Sequence, residues 1–263
     1  MPYGQPPKSG NPIFRTAAFK NPVAVAGGGQ MTVNGTIGKA LIMLVLVILT
    51  AAWCWSQALK GYVPATATTA PVFDYAAISP YLIGGVIGGL VFAIATAFKP
   101  TWARITAPLY AICEGFVIGG ISAIFNVQYP GIVIQAVALT LAVALGMLIL
   151  YRTGVIKATP RLYKIIGAAT FGIVIFYGLT MLAQWLFHAN MNMVYGHTPL
   201  SIGISLFIVA IAAFNLVLDF DMIARTSESG APRYMEWYGA FALMVTLIWL
   251  YLEILRLLGN TRR

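Results

Sequence analysis

The sequence has little charge. Only 9% of its 263 residues are Asp, Glu, Lys or Arg, against about 25% in an ordinary soluble domain. Acids are scarcest: Asp74, Glu114, Asp219, Asp221, Glu228, Glu236 and Glu253. The two cysteines, Cys54 and Cys113, sit in apolar stretches, give neither a disulfide framework nor a metal spacing, and read as buried inert thiols. The two histidines, His188 and His197, are nine residues apart without a nearby Cys or acid, which argues against a metal site. No Ser-His-Asp constellation is present, and no glycine loop with a Lys to cradle phosphate. No aromatics interleave a basic patch, so the net charge of +9 does not point to nucleic acid. The chain is expected to be no enzyme and to need no cofactor.

What is abundant is apolar surface. Hydrophobic residues make up 60% of the chain and the mean hydropathy is +0.84. A soluble fold could not hide this much, so the reading is an integral membrane protein in a lipid bilayer. Seven apolar stretches stand out, at 40–59, 80–98, 106–125, 131–151, 165–187, 199–222 and 236–258. A helix needs about 20 residues to cross a hydrocarbon core of about 30 Å. Lipid cannot satisfy free backbone groups, so the spans must be helices. The fold expected is an all-α bundle of seven transmembrane helices over 39–259. A disordered polar tail rich in Gly, Pro, Asn and Gln precedes it over 1–38, and a short basic tail, 260–263, follows. "VPATATTAP" after the first stretch offers small-residue cleavage sites. The preceding 39 residues are too long for a signal peptide's n-region, so this stretch reads as an uncleaved helix.

Basic residues set the orientation. With a cytoplasmic N-terminus, twelve fall inside: Lys8, Arg15, Lys20, Lys39, Lys99, Arg104, Arg152, Lys157, Arg161, Lys164, Arg225 and Arg233. Four fall outside: Lys60, Arg256, Arg262 and Arg263. The basic C-terminal end is the one element that fits poorly. Glycines spaced one turn apart mark close helix packing: Gly84 with Gly88, Gly85 with Gly89, and Gly115 with Gly119.

Four acids lie in membrane stretches, where a charge costs ~2.5–3.5 kcal/mol on insertion scales. Glu114 is roughly 12 Å along the third helix. Asp219 and Asp221, near the end of the sixth, point to different sides because two residues turn a helix by about 200°. Asp221 precedes Arg225 by four residues, the spacing of a helix-surface ion pair, and reads as a solvated charge. Asp219 reads as the buried one, with Glu114 at similar depth. Glu253, nearer the other end of the last helix, has Arg256 one turn on. Asp74, Glu228 and Glu236 read as solvated loop acids.

Four motifs, "NPIF" at 11–14, "APLYAICEGFVIGGIS" at 107–122, "LDFDMI" at 218–223 and "EWYGAFALMVTLIWLYLEILRLL" at 236–258, resemble the Bax inhibitor-1, or transmembrane BAX inhibitor motif, family. The closer match is its bacterial YccA-like branch, of actinobacterial type. The resemblance implies a seven-helix fold with the last helix central, in the bacterial plasma membrane. It also implies a pH-sensitive Ca²⁺ leak regulated by a carboxylate pair, which falls on Asp219 and Glu253. The segment "ARTSESGAPRYMEW" places these 34 residues apart, about ten more than the resemblance predicts, and makes Glu114 a rival partner for Asp219. Lys99 and Arg104 are the nearest candidates for the basic partner the family supplies. The alternative implied by YccA-like relatives is a non-transporting modulator of an FtsH-type membrane protease or quality-control complex, and a third reading is a stress-related membrane protein whose acids are purely structural. Ion selectivity and oligomeric state are left open by the sequence.

Overall fold

A computed structural model describes residues 29–63, 72–73, 75–187, 196 and 198–262. Seven long helices run in order: α1 Val33–Lys60, α2 Ser79–Phe98, α3 Ala103–Gln128, α4 Ile132–Arg152, α5 Pro160–Phe187, α6 Pro199–Glu228 and α7 Met235–Thr261. All seven are long and apolar enough to cross a membrane. The only strands among the described residues are β1 Tyr62–Val63 and β2 Val72–Phe73, a two-residue antiparallel pair between α1 and α2. The protein is an all-α membrane protein.

The helices outrun the apolar stretches because polar caps close them. Thr32 caps α1, its Oγ1 accepting from the Gly35 N–H at 2.9 Å, so residues 33–38, read from sequence as the end of the tail, are helical. The rest of that tail, 1–28, with the "NPIF" motif, lies outside the described residues, as do Asp74, His188, His197 and Arg263. Thr198 caps α6 in the same way, ahead of Pro199, which suits the first helical position. At its far end α6 continues to Glu228, absorbing much of the extra segment as helix; a turn through Gly230, with φ of +73°, then leads to α7.

The chain divides into two compact units. One holds α1, α2, α3 and residues 232–244; the other holds α4, α5, α6 and residues 245–262. In the first unit α3 is the hub, and glycines let its neighbours approach. Gly115 and Gly119 pack against Thr50 and Ala51 of α1, while Gly85, Gly88 and Gly89 of α2 pack against Cys113, Glu114 and Val117. Five of the six spaced glycines thus lie against a neighbouring helix. A Cβ on Gly84 would meet nothing within 4 Å among the described residues, and Gly84 faces outward because it lies about 100° around α2 from Gly85. Cys54 is buried and Cys113 half-buried, and both are free.

Buried share decides which spans can face lipid. It is 17% in the apolar windows of α2, α4 and α5, but 50% in α6 and 56% in α7. Large side chains on the lighter-packed helices, such as Ile83, Leu90, Leu145 and Leu179, are exposed where hydrocarbon would surround them. The last helix is the most buried of the seven.

Candidate functional site

Carboxylates placed in a bundle need donors, counter-charges or protons. In the α4–α6 unit, Asp221 is only 7% exposed, so the expectation of a solvated charge is corrected. The ion pair itself is present: Arg225 Nε donates to Asp221 Oδ2 at 2.6 Å. Two tyrosines complete the shell. The Tyr163 hydroxyl, from the start of α5, donates to Oδ2 at 2.7 Å, and the Tyr151 hydroxyl, from the end of α4, donates to Oδ1 at 3.3 Å. One carboxylate thereby ties three helix ends together. Tyr163→Phe should lower stability by about 1 kcal/mol, since one donor is lost while Arg225 remains. Tyr151→Phe, whose bond is longer, should cost less, and thermal unfolding of the two variants in detergent checks the order.

Glu253 is also accounted for locally. Arg256 Nη2 lies 2.6 Å from its Oε2, the Tyr177 hydroxyl donates to Oε1 at 2.8 Å, and Trp249 Nε1 donates to the same oxygen at 3.3 Å. The Arg256 guanidinium in turn sits 5.1 Å from the centroid of the Tyr177 ring. The one-turn pairing of Glu253 with Arg256 is therefore real.

The register of α6 against α7 fixes the relation of Glu253 to Asp219. Asn260 Nδ2 donates to Ser201 Oγ at 2.9 Å and Ser205 Oγ at 3.2 Å, so position 260 lies level with about 203. The six-residue connection 229–234 makes the helices antiparallel and gives the same register from its end. Glu253 is then level with about position 210, nine residues from Asp219, or ~14 Å along the axis. A hydrogen bond spans only about 3 Å. The pair implied by the resemblance is resolved into two separate places.

Asp219 has no exposed surface at all. It belongs to a buried polar stripe on α6, Ser201, Ser205, Asn215, Asp219 and Thr226, whose spacings of four, seven and ten residues keep them on one face. Asn215, 2% exposed, donates from Nδ2 to Thr170 Oγ1 at 2.8 Å and to the Ile211 carbonyl at 3.0 Å. Its Oδ1 is buried with no hydrogen-bond partner among the described residues. Such an acceptor costs about 1–3 kcal/mol. Neither Asn215 nor Asn260 is singled out by a search for charges; their helical spacing from Asp219 and Glu253 is the signal that finds them.

In the α1–α3 unit, Glu114 is half-buried on α3. Its partner group is the Tyr110 hydroxyl one turn earlier, and Tyr110 meets Phe241 of α7 edge-on at 4.8 Å. Lys99 and Arg104 are exposed, with the Lys99 ammonium 4.3 Å from the centroid of the Trp102 ring, and neither joins an ion pair among the described residues. The base that pairs in this unit is the half-buried Lys39. It pairs with Glu236, which is 3% exposed, so the reading of Glu236 as a solvated loop acid is corrected. Glu236 Oε1 also accepts from the Thr32 N–H and Oγ1, each at 3.0 Å. Arg233 Nε stands 3.9 Å from Oε2. The carboxylate thus serves the positive N-terminal ends of both α1 and α7, which is where a helix dipole favours an acid. Glu228, by contrast, is exposed as expected.

A family model described as "Bax inhibitor 1 like" matches residues 11–263. No curated relative and no solved structure matches the chain significantly.

Proposed function

The chain belongs to the Bax inhibitor-1-like family, and on that premise we propose that it is a pH-sensitive Ca²⁺ leak whose gate includes Asp219. The observation that carries this reading is the complete burial of Asp219 on a polar stripe of an otherwise apolar span. Ionised, the carboxylate can take a hard cation on its oxygens; protonated, it cannot. Gaining or losing one proton therefore biases two arrangements of the helix around it. Glu114, half-buried beside Tyr110 in the α1–α3 unit, is proposed as a separate titratable group. Glu253, with its own Arg256, is proposed to act at a separate level. The protein works without cofactor or catalysis in this reading. It resides in a bacterial plasma membrane as a YccA-like member of actinobacterial type, with its N-terminus cytoplasmic.

Purified protein in proteoliposomes, with Ca²⁺ flux followed across a pH series, tests it. Wild type should show flux that changes with pH, and Asp219→Asn should flatten that profile. An unchanged profile would overturn the role of Asp219.

One observation favours the second reading, a non-transporting modulator of an FtsH-type membrane protease. The residues that follow the tail are pinned: Gln30 bridges Pro232, and the Arg233 N–H donates to the Gly29 carbonyl at 2.9 Å. A pinned exit would hold a docking tail at a defined place. Deleting residues 1–28 leaves this anchor and the Thr32 cap intact. Loss of the cellular phenotype with flux preserved would favour the modulator.

A further inference from the structure

Asn215 is fixed in a way that aims an acceptor. The Ile211 carbonyl can only accept, so the amide edge facing it must be Nδ2, and the assignment of the two ends is settled by that contact. The second Nδ2 proton goes to Thr170 Oγ1. With both protons committed, the amide cannot rotate, and Oδ1 is held on the edge away from Ile211. Asp219 follows four residues later, one turn on, on the same buried face. Thr170 belongs to α5, so the amide is braced from a second helix of the same unit.

A carbonyl oxygen held without a donor is the wrong group for an apolar contact and the right one for a hard cation. Amide carbonyls, hydroxyls and carboxylates are the ligands such cations take. We propose that Asn215 Oδ1 and the Asp219 carboxylate form an equilibrium binding site for a hard cation within α6. Asn215 is a ligand in this site, and Thr170 is a positioning residue that keeps Oδ1 aimed. The inference rests on reading Asp219 as a group that faces the cation path, and it adds the neutral ligand and the place where the ion pauses. The neutral amide has a function of its own. It gives a hard cation an oxygen ligand without placing a second negative charge in the buried site.

The test is equilibrium binding of Ca²⁺ to the full chain in nanodiscs, with Mn²⁺ and its electron paramagnetic resonance signal as a second probe. Wild type should show one saturable site. Asn215→Leu should weaken it about tenfold or more, and Asn215→Asp should keep or tighten it. Thr170→Val should weaken it by a smaller factor while leaving the ligands in place. This variant, with Asn215→Ser, keeps the test decisive if Asn215→Leu does not fold. Equal affinity in wild type and folded Asn215→Leu would overturn the proposal and leave the amide to a bound water. No saturable binding in wild type would overturn it as well. Binding without Ca²⁺ flux in proteoliposomes would refute the leak but leave the site. Flux without saturable binding would do the reverse.

Discussion

Glu236→Gln should lower the melting temperature by roughly ten degrees, the largest effect expected of any single change to a charged residue. The side chain keeps its length, so the loss is electrostatic. Glu236 accepts from Thr32 on one oxygen and from Lys39 on the other. A Gln amide can offer its one oxygen to Thr32 or to Lys39 but not to both. The other partner then faces an NH₂ group, donor against donor. Lys39, with a side chain only 16% exposed, is left without its counter-charge. Breaking a buried pair from one side costs about 3–5 kcal/mol, and the partial exposure of Lys39 places this case near 3. At about 2–4 °C per kcal/mol for a chain of this size, the shift follows. Two companion variants separate this account from general disruption. Adding Lys39→Met to Glu236→Gln should recover much of the loss, since removing both charges leaves no ammonium without its counter-charge. Gly35→Ala should copy Glu236→Gln, because a Cβ there would lie 2.1 Å from Glu236 Oε1 and would expel the carboxylate. Thermal unfolding in detergent reads all three. An unshifted Glu236→Gln would mean that water, and not Lys39 and Thr32, carries the carboxylate.

The error over Glu236 shows what the sequence can and cannot express. An acid at the start of an apolar stretch looks like a solvated end. What buries it is Thr32 and Lys39, 204 and 197 residues away, and no local pattern reports a partner at that distance. Asp221 divides along the same line. Its bond to Arg225 was legible because four residues make one helical turn, whereas Tyr151 and Tyr163 arrive from other helices. Glu253 with Arg256 was legible for the local reason too. The seven spans were legible because the bilayer imposes a length and forbids unpaired backbone. Their ends were not, since Thr32 and Thr198 are polar caps that a hydropathy window discards. The register that separates Glu253 from Asp219 needed Asn260, a neutral residue that a survey of charges passes over.

Glycine spacing was legible as packing, but not as a choice between overlapping pairs, and this difference supports the second large effect. Gly119→Leu should destabilise the α1–α3 unit severely, while Gly84→Leu should be nearly neutral. A Cβ on Gly119 would stand 2.5 Å from the Ala51 carbonyl oxygen, 2.8 Å from its Cα and 3.0 Å from its carbonyl carbon. All three are backbone atoms, so no rotamer change relieves the clash. Carbon contacts settle at about 3.5–4.0 Å, and α1 must therefore retreat from α3 by about 1 Å. In lipid that retreat is costly, because helices associate through close van der Waals contact rather than through exclusion of water. Even Gly119→Ala should exceed the usual 1–3 kcal/mol of an overpacked site, since Gly115, one turn earlier, meets Thr50 and Val47 of the same helix and shares the displacement. Gly84 shares the sequence motif and lacks the neighbour. Gly84→Ala should be neutral or slightly stabilising, as Ala is the better helix former by about 1 kcal/mol. Thermal scans of the matched pair decide the matter. Equal melting temperatures for the Gly84 and Gly119 variants would show that the contact with Ala51 had been mistaken for the cause.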